Sequence, residues 1–300
     1  MVEKFSGFVF KEYSTFNPSN LKHRKKLPNG WFVVGLSVDL INGQISNATI
    51  QDTELVIWRD HKGIAHAWYN RCPHRGTRLS LGFVRGDRLA CLYHGFQFIG
   101  DGRCIYTPAM PNFVPPKSIA AIVFQCFESQ GFIWVGNKDM EPNNISDLMA
   151  DDSNLSSRLL PIRSLFIQRS SSSVIDRLPS IPFPPSKLLE TSDKSCLRVE
   201  KAYEVHGTFV WESRGRSIKA SYQTNELKPG IFNVICQYED KIDILMVTVQ
   251  AINTERTAVH LILIPELKST EPNSLRLSYA KWSKIVRQRI ENFKEKVQPS

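Results

Sequence analysis

Cys72-Pro-His74-Arg-Gly76 and Cys91-Leu-Tyr-His94-Gly95-Phe96 are the stretches on which the reading of this chain turns. Each supplies one thiol and one imidazole, as Cys-x-His in the first and Cys-x-x-His in the second. Sixteen residues separate His74 from Cys91. Each half follows a run of strand-type residues, Ala65–Tyr69 and Arg88–Leu92. Two loops projecting side by side would therefore present a Cys₂His₂ set. Zinc matches that ligand count. Two features favour an iron–sulfur cluster. Both halves run Cys then His, which lets one iron take two sulfurs and the other two nitrogens. In addition, Gly76 and Gly95 fall where the backbone must crowd close to bridging sulfides.

Working outward, 300 residues are comfortable for two domains, each with a substantial core. The apolar share of 42% and charged share of 22% are ordinary for a soluble globular protein. Met1-Val-Glu-Lys-Phe-Ser has no basic segment followed by an apolar run, so no signal peptide is expected. No stretch reaches the roughly 18 apolar residues of a membrane span, and the expectation is a cytoplasmic protein. Net charge is +9, with a dense basic run at Lys22–Lys26 and a basic stretch from Arg276 to Lys296. Such charge suits a solvated surface or docking of an acidic electron donor. No helix-turn-helix, zinc-finger or RRM-like pattern accompanies it, so no nucleic-acid partner is expected. Of the cysteines, Cys104, Cys126, Cys196 and Cys236 are scattered and read as buried or half-buried thiols.

Residues 1–29 read as a lead-in segment. From residue 30 to 137 short β-branched and aromatic runs alternate with turns. Strands are predicted at Trp31–Val34, Glu54–Arg59, Ala65–Tyr69, Arg88–Leu92, Phe96–Ile99, Ile122–Phe127 and Phe132–Val135. His61-Lys-Gly63 and Gly100-Asp-Gly102 are natural hairpin turns. Residues 138–195 read as an acidic, then Ser- and Pro-rich linker. Residues 196–300 return to regular structure. Strands are expected at Leu197–His206, Thr208–Arg214, Ile231–Tyr238, Asp243–Ala251 and Ala258–Ile264, with Ala258, His260, Ile262 and Ile264 sharing one face. A closing helix would carry Trp282, Ile285, Val286, Ile290, Phe293 and Val297 on one apolar stripe. The fold class is α+β, a β domain followed by an antiparallel sheet with a C-terminal helix.

The stretch from about Trp31 to Val135 resembles the Rieske domain of the ring-hydroxylating and demethylating oxygenases. The resemblance rests on Arg71-Cys-Pro-His-Arg-Gly76, Leu79-Ser-Leu-Gly82, Cys91-Leu-Tyr-His-Gly-Phe96 and Asp101-Gly-Arg-Cys104. It implies a [2Fe–2S] cluster, with Cys72 and Cys91 on the buried iron and His74 and His94 on the outer one, where electrons enter and leave. Neutral imidazoles in place of two thiolates raise the reduction potential relative to Cys₄ ferredoxins. Respiratory Rieske proteins carry an extra Cys in each loop. Here those positions hold Thr77 and Tyr93, which points to the oxygenase or soluble ferredoxin branch, toward the low end of the roughly −150 to +300 mV Rieske range. His23, His61 and His66 have no matching partners and read as strand-end or surface histidines.

The resemblance also implies a second, helix-grip (START-like) domain, here trimmed, holding a mononuclear Fe(II) on a 2-His-1-carboxylate site. In the family the two histidines come from Asp-x-x-His-x-x-x-x-His. After residue 137 this chain has only His206 and His260, both in predicted strands and expected to face a pocket or solvent. The nearest echo is Asp176-Arg-Leu-Pro179-Ser-Ile-Pro-Phe-Pro184, with prolines, which have no ligating atom, in both histidine positions. In that register Asp176 would occupy the acidic position that in the family bridges the cluster histidine of one subunit to an iron histidine of the next. The mononuclear iron is therefore expected to be absent.

These readings converge on an oxidoreductase subunit. It would carry one electron from a reductase or ferredoxin to an O₂-activating iron on a partner, within a homo- or hetero-oligomer of Rieske oxygenase subunits. The alternatives are a self-contained mono- or dioxygenase with unrecognised iron ligands, and a redox sensor or small-molecule binder.

Overall fold

The computed structural model describes residues 26–139, 157–178, 181–190, 199–266 and 269–293. The lead-in before residue 26, Pro179, Cys196 and Val297 lie outside these residues.

The N-terminal domain is built from ten strands. Six of them form one antiparallel sheet: β1 (Phe32–Leu36), β2 (Ile45–Ile50), β3 (Thr53–Arg59), β4 (Ala65–Tyr69), β9 (Val123–Ser129) and β10 (Phe132–Gly136). Their order is β1-β10-β9-β4-β3-β2. A smaller sheet, β5 (Phe83–Arg85), β6 (Arg88–Ala90), β7 (Gln97–Ile99) and β8 (Cys104–Tyr106), runs in sequence order. Both hairpin turns read from glycine placement are present, with Gly63 and Gly102 in the left-handed region at φ +88° and +87°. Asn137 closes the domain. Its carboxamide accepts from the Leu27 amide at 3.1 Å and donates to the Leu27 carbonyl at 2.9 Å. Leu27, read as part of the lead-in, is thus buried in this domain.

The second domain is a seven-stranded antiparallel sheet. Its strands are β11 (Leu160–Ile167), β12 (Lys201–Val205), β13 (Thr208–Ser213), β14 (Arg216–Lys228), β15 (Ile231–Tyr238), β16 (Lys241–Ala251) and β17 (Thr257–Ile264). The order is β11-β17-β16-β15-β14-β13-β12. Two short helices, α1 (Ser171–Arg177) and α2 (Ser186–Leu189), precede the β12 hairpin, and a long one, α3 (Pro272–Asn292), closes the chain. Val259, Leu261 and Leu263 of β17 face α3, whose Leu275, Tyr279, Trp282, Val286 and Ile290 are buried against the sheet. Ile262 and Ile264 point the other way, toward Val33, Phe132 and Trp134 of the first domain. This period-two division gives the sheet one face for its own core and one for the seam between domains.

Three expectations need correction. Residues 160–167, read as linker, form β11, an edge strand paired along β17 from Leu160↔Leu263 to Ile167↔Thr257. Pro161 obscured it, yet the register shifts between Pro161 and Arg163, and an edge bulge tolerates a residue without an N–H. The closing helix begins at Pro272, well before Trp282. Of its expected stripe, Ile285 and Phe293 are exposed, because the buried row runs through Leu275 and Tyr279 instead. His66 keeps the strand-end place read for it, at the start of β4, but has partners there: its ring stacks on Trp58 at 4.3 Å and its Nε2 lies 3.3 Å from Asp60.

Among the described residues, no helix is long and apolar enough to cross a membrane.

Candidate metal centre

Two loops of the same design leave the N-terminal domain. In the first, which follows β4, the Cys72 amide donates to the Thr77 carbonyl and the Gly76 amide to the Cys72 carbonyl, both at 2.8 Å. In the second, between β6 and β7, the Cys91 amide donates to the Phe96 carbonyl at 2.9 Å and the Gly95 amide to the Cys91 carbonyl at 3.0 Å. The offsets are the same in both loops. Each needs a glycine four residues after its cysteine, and Gly76 and Gly95 take φ of +72° and +69°. Gly95 also lacks room for a side chain: a Cβ would stand 2.6 Å from Pro108 Cγ.

This design brings the four sequence-predicted ligands together. The Cys72 and Cys91 thiols hydrogen-bond each other at the base, both buried. That contact, with the amides of Tyr93 and His94 directed at its sulfur, holds the Cys91 thiol down at about 6 against the opposing effect of burial. The shared proton and burial push Cys72 up, although the amides of His74 and Arg75 favour its thiolate. Above the thiols the rings of His74 and His94 lie 4.8 Å apart, edge to face. His74 stacks on Phe96 at 4.3 Å, while Tyr93 tilts over His94 at 3.8 Å. His94 is exposed and His74 half-buried.

The donor set fits a [2Fe–2S] group. Amides aimed at both sulfurs match thiolate ligands, and the groups fall into a buried thiol pair and an outer imidazole pair. Among the described residues no three His, Cys, Asp or Glu side chains converge as one ion would require. What sequence reasoning missed is the framework around the first loop. Asn70 and Ser80 clasp its base at 2.9 and 2.8 Å. Glu54 binds Arg71 and Arg78 on its two flanks, each at 2.6 Å. No local pattern links Glu54 to a loop so far along the chain.

The second-domain residues do not assemble. Asp176 is exposed on α1, which ends before the prolines. Pro184 is buried, and its carbonyl accepts from the Tyr279 hydroxyl at 2.5 Å. The Phe183 carbonyl is taken by Tyr222 and the Ser186 amide by Asp243 at 2.6 Å. This segment is thus fastened into the core, where Phe183 packs among Tyr222, Tyr279 and Trp282. His206 sits exposed in the β12–β13 turn. His260, expected to face a pocket or solvent, is buried in the domain seam. Among the described residues, Asp176, His206 and His260 therefore do not come together as a 2-His-1-carboxylate set.

Residues 30–127 match the family described as Rieske [2Fe-2S] domain. The chain is 41% identical over 122 residues to the oxidoreductase NdmD of Pseudomonas putida, covering 40% of this chain and 21% of that protein. It is 34% identical over 122 residues to the oxygenase component of dicamba O-demethylase from Stenotrophomonas maltophilia, covering 40% of this chain and 35% of that one. The matched stretch thus spans about a fifth to a third of these relatives. In three dimensions the likeness extends further. Apo dicamba monooxygenase superposes with a TM-score of 0.65 at 18% identity, covering 92% of this chain and 91% of that one.

Proposed function

From the premise that residues 30–127 of this chain are a Rieske [2Fe–2S] domain, on a chain with the fold of the Rieske oxygenases, we propose that it serves as a one-electron transfer subunit. The donor is a reductase or ferredoxin, and the acceptor is an O₂-activating iron on a partner chain in an oligomer of such subunits. Cys72, His74, Cys91 and His94 hold the cluster, which when bound supplies reversible one-electron storage. The protein's part is positional. Cys72 and Cys91 anchor from the buried side, while His94 brings its imidazole to the surface, where a redox partner can approach.

The observation that carries this reading is the exposure of His94 on its ligand loop. The apolar seam with the chain's own second domain is made by Val33, Leu36, Phe132 and Trp134 against Ile231, Met246, Ile262 and Ile264, with neither ligand loop in it. An exposed imidazole is the point at which another molecule can take the electron. The fastened Phe183–Ser186 segment and the lack of a histidine pair support an acceptor iron held elsewhere. Asp176, exposed on α1, is free to act as a bridge between subunits. The expected compartment is the cytoplasm.

Whole-chain likeness to an oxygenase favours a second reading, in which this chain carries its own mononuclear iron through other ligands. Copurification separates the two. The first expects a second Rieske-type chain with an intact histidine pair to accompany the tagged protein and to reoxidise it when reduced. Turnover by the isolated chain with a reductase alone would overturn it.

A further inference from the structure

The second ligand loop is surrounded by apolar side chains that the fold leaves uncovered. Leu81, Phe83, Leu92, Tyr93 and Val114 are between 39% and 84% exposed. Three routes bring them to this loop. Leu92 and Tyr93 belong to it. Phe83 of β5 pairs with Ala90, the residue before Cys91, and follows Leu81 by two positions. Pro108 packs against Gly95, and two turns then lead to Val114, closed by the Met110 amide on the Thr107 carbonyl and the Phe113 amide on the Met110 carbonyl. Single exposed apolar residues are ordinary on a surface, whereas a group gathered at one loop marks a contact site.

The charge around the same loop has one prevailing sign. Residues 71–117 hold seven Arg and Lys against two Asp and no Glu. Both Asp are taken, Asp87 by Arg88 at 3.5 Å and Asp101 by Arg103 at 2.6 Å. Glu54, reaching in from β3, is shared by Arg71 and Arg78. The balance is positive. Arg85 lies over the Phe83 ring at 4.9 Å, so cation and apolar surface are presented together. Val114 and Lys117, both exposed and three residues apart, repeat the combination.

We infer that this apolar, cationic surface around His94 docks an acidic protein that donates the electron. Aromatic and Arg side chains suit the centre of an interface, and complementary charge steers the encounter. A second copy of this chain does not fit, because at a net charge of +9 it would set like charge against like. The choice of an electron donor as occupant rests on the electron-transfer role. On docking, the donor loses one electron and the [2Fe–2S] group gains it, with no bond made or broken.

Binding and reduction of the full chain by an acidic plant-type ferredoxin test it, by titration calorimetry and stopped-flow absorbance, with dithionite as a reductant that needs no docking. Arg85→Glu combined with Lys117→Glu should weaken ferredoxin binding and slow its electron transfer by roughly tenfold or more at low salt. The visible spectrum and the dithionite rate should not change. Added salt should weaken binding to the parent and leave the variant nearly unaffected. Ferredoxin affinity that ignores both salt and charge reversal would overturn the surface and leave the electron-transfer role standing. A chain that dithionite reduces and the ferredoxin does not would overturn both.

Discussion

The Gly95 amide reaches back 3.0 Å to the Cys91 carbonyl, repeating in the second ligand loop the bond that Gly76 makes to Cys72 in the first. The two loops thus share one backbone solution, and their glycines are required by it for different reasons.

Gly76→Ala and Gly95→Ala should separate those reasons. Both place a side chain at positive φ, which costs about 1–2 kcal/mol. At Gly95 the new Cβ also meets Pro108, and overpacking adds about 1–3 kcal/mol. Urea denaturation should therefore rank Gly95→Ala as clearly the worse, with the greater loss of visible absorbance. Equal effects would mean that Pro108 yields freely.

Replacing ligands should change the spectrum in a predictable order. Cys91→Ser removes a buried thiolate and should abolish the visible bands. His94→Cys substitutes a charged ligand for a neutral one and should keep a cluster of lower potential. Potentiometric titration checks the second, and an unaltered spectrum in the Ser variant would refute the assignment of Cys91.

Acid should weaken the second domain through His260. Burial lowers this imidazole to about 4, with the Val33 backbone opposing weakly, against about 6.5 in an unfolded chain. Between those values the unfolded state binds the extra proton. Stability is therefore complete above about pH 6.5 and declines as pH falls toward 4, by at most about 3 kcal/mol. His260→Gln should flatten that part of the urea midpoint–pH curve. A variant with the same slope as the parent would assign the acid loss to other groups.

Asp243 should prove a structural anchor. It is fully buried and accepts from the Ser186 amide at 2.6 Å and from Ser186 Oγ and the Glu266 amide at 2.9 Å. Burial raises its pKa, with those donors offsetting part of the rise. Asp243→Ala orphans the Ser186 and Glu266 amides and leaves the Ser186 hydroxyl only Tyr238, and should cost about 2–5 kcal/mol, with Asp243→Asn milder. A loss below about 0.5 kcal/mol in the alanine variant would contradict this.

The ligand site was legible in the sequence because its chemistry is local: a thiol, an imidazole and a glycine within five residues, twice over. The framework that holds it was not, since Glu54 and Ser80 act across the fold. Among the strands, β5 and β8 are three residues long, too short to show a period. The strand β14 alternates only over Ile218–Gln223, and its remaining residues are mostly exposed and polar, so its full length was not legible. For β11, only its pairing with β17 distinguishes it from the linker it was taken for, and that pairing lies nearly a hundred residues away in the chain. His260 was placed correctly on a face with Ile262, but what covers that face is a domain–domain contact that no local pattern records.

The metal content of the full chain tests the two-iron cluster and the absence of a third iron most directly. Iron and acid-labile sulfide, assayed with the EPR spectrum of the dithionite-reduced protein, should give two irons and two sulfides per chain with one unpaired electron. A third, tightly bound Fe(II) per chain, or iron without sulfide, would contradict it.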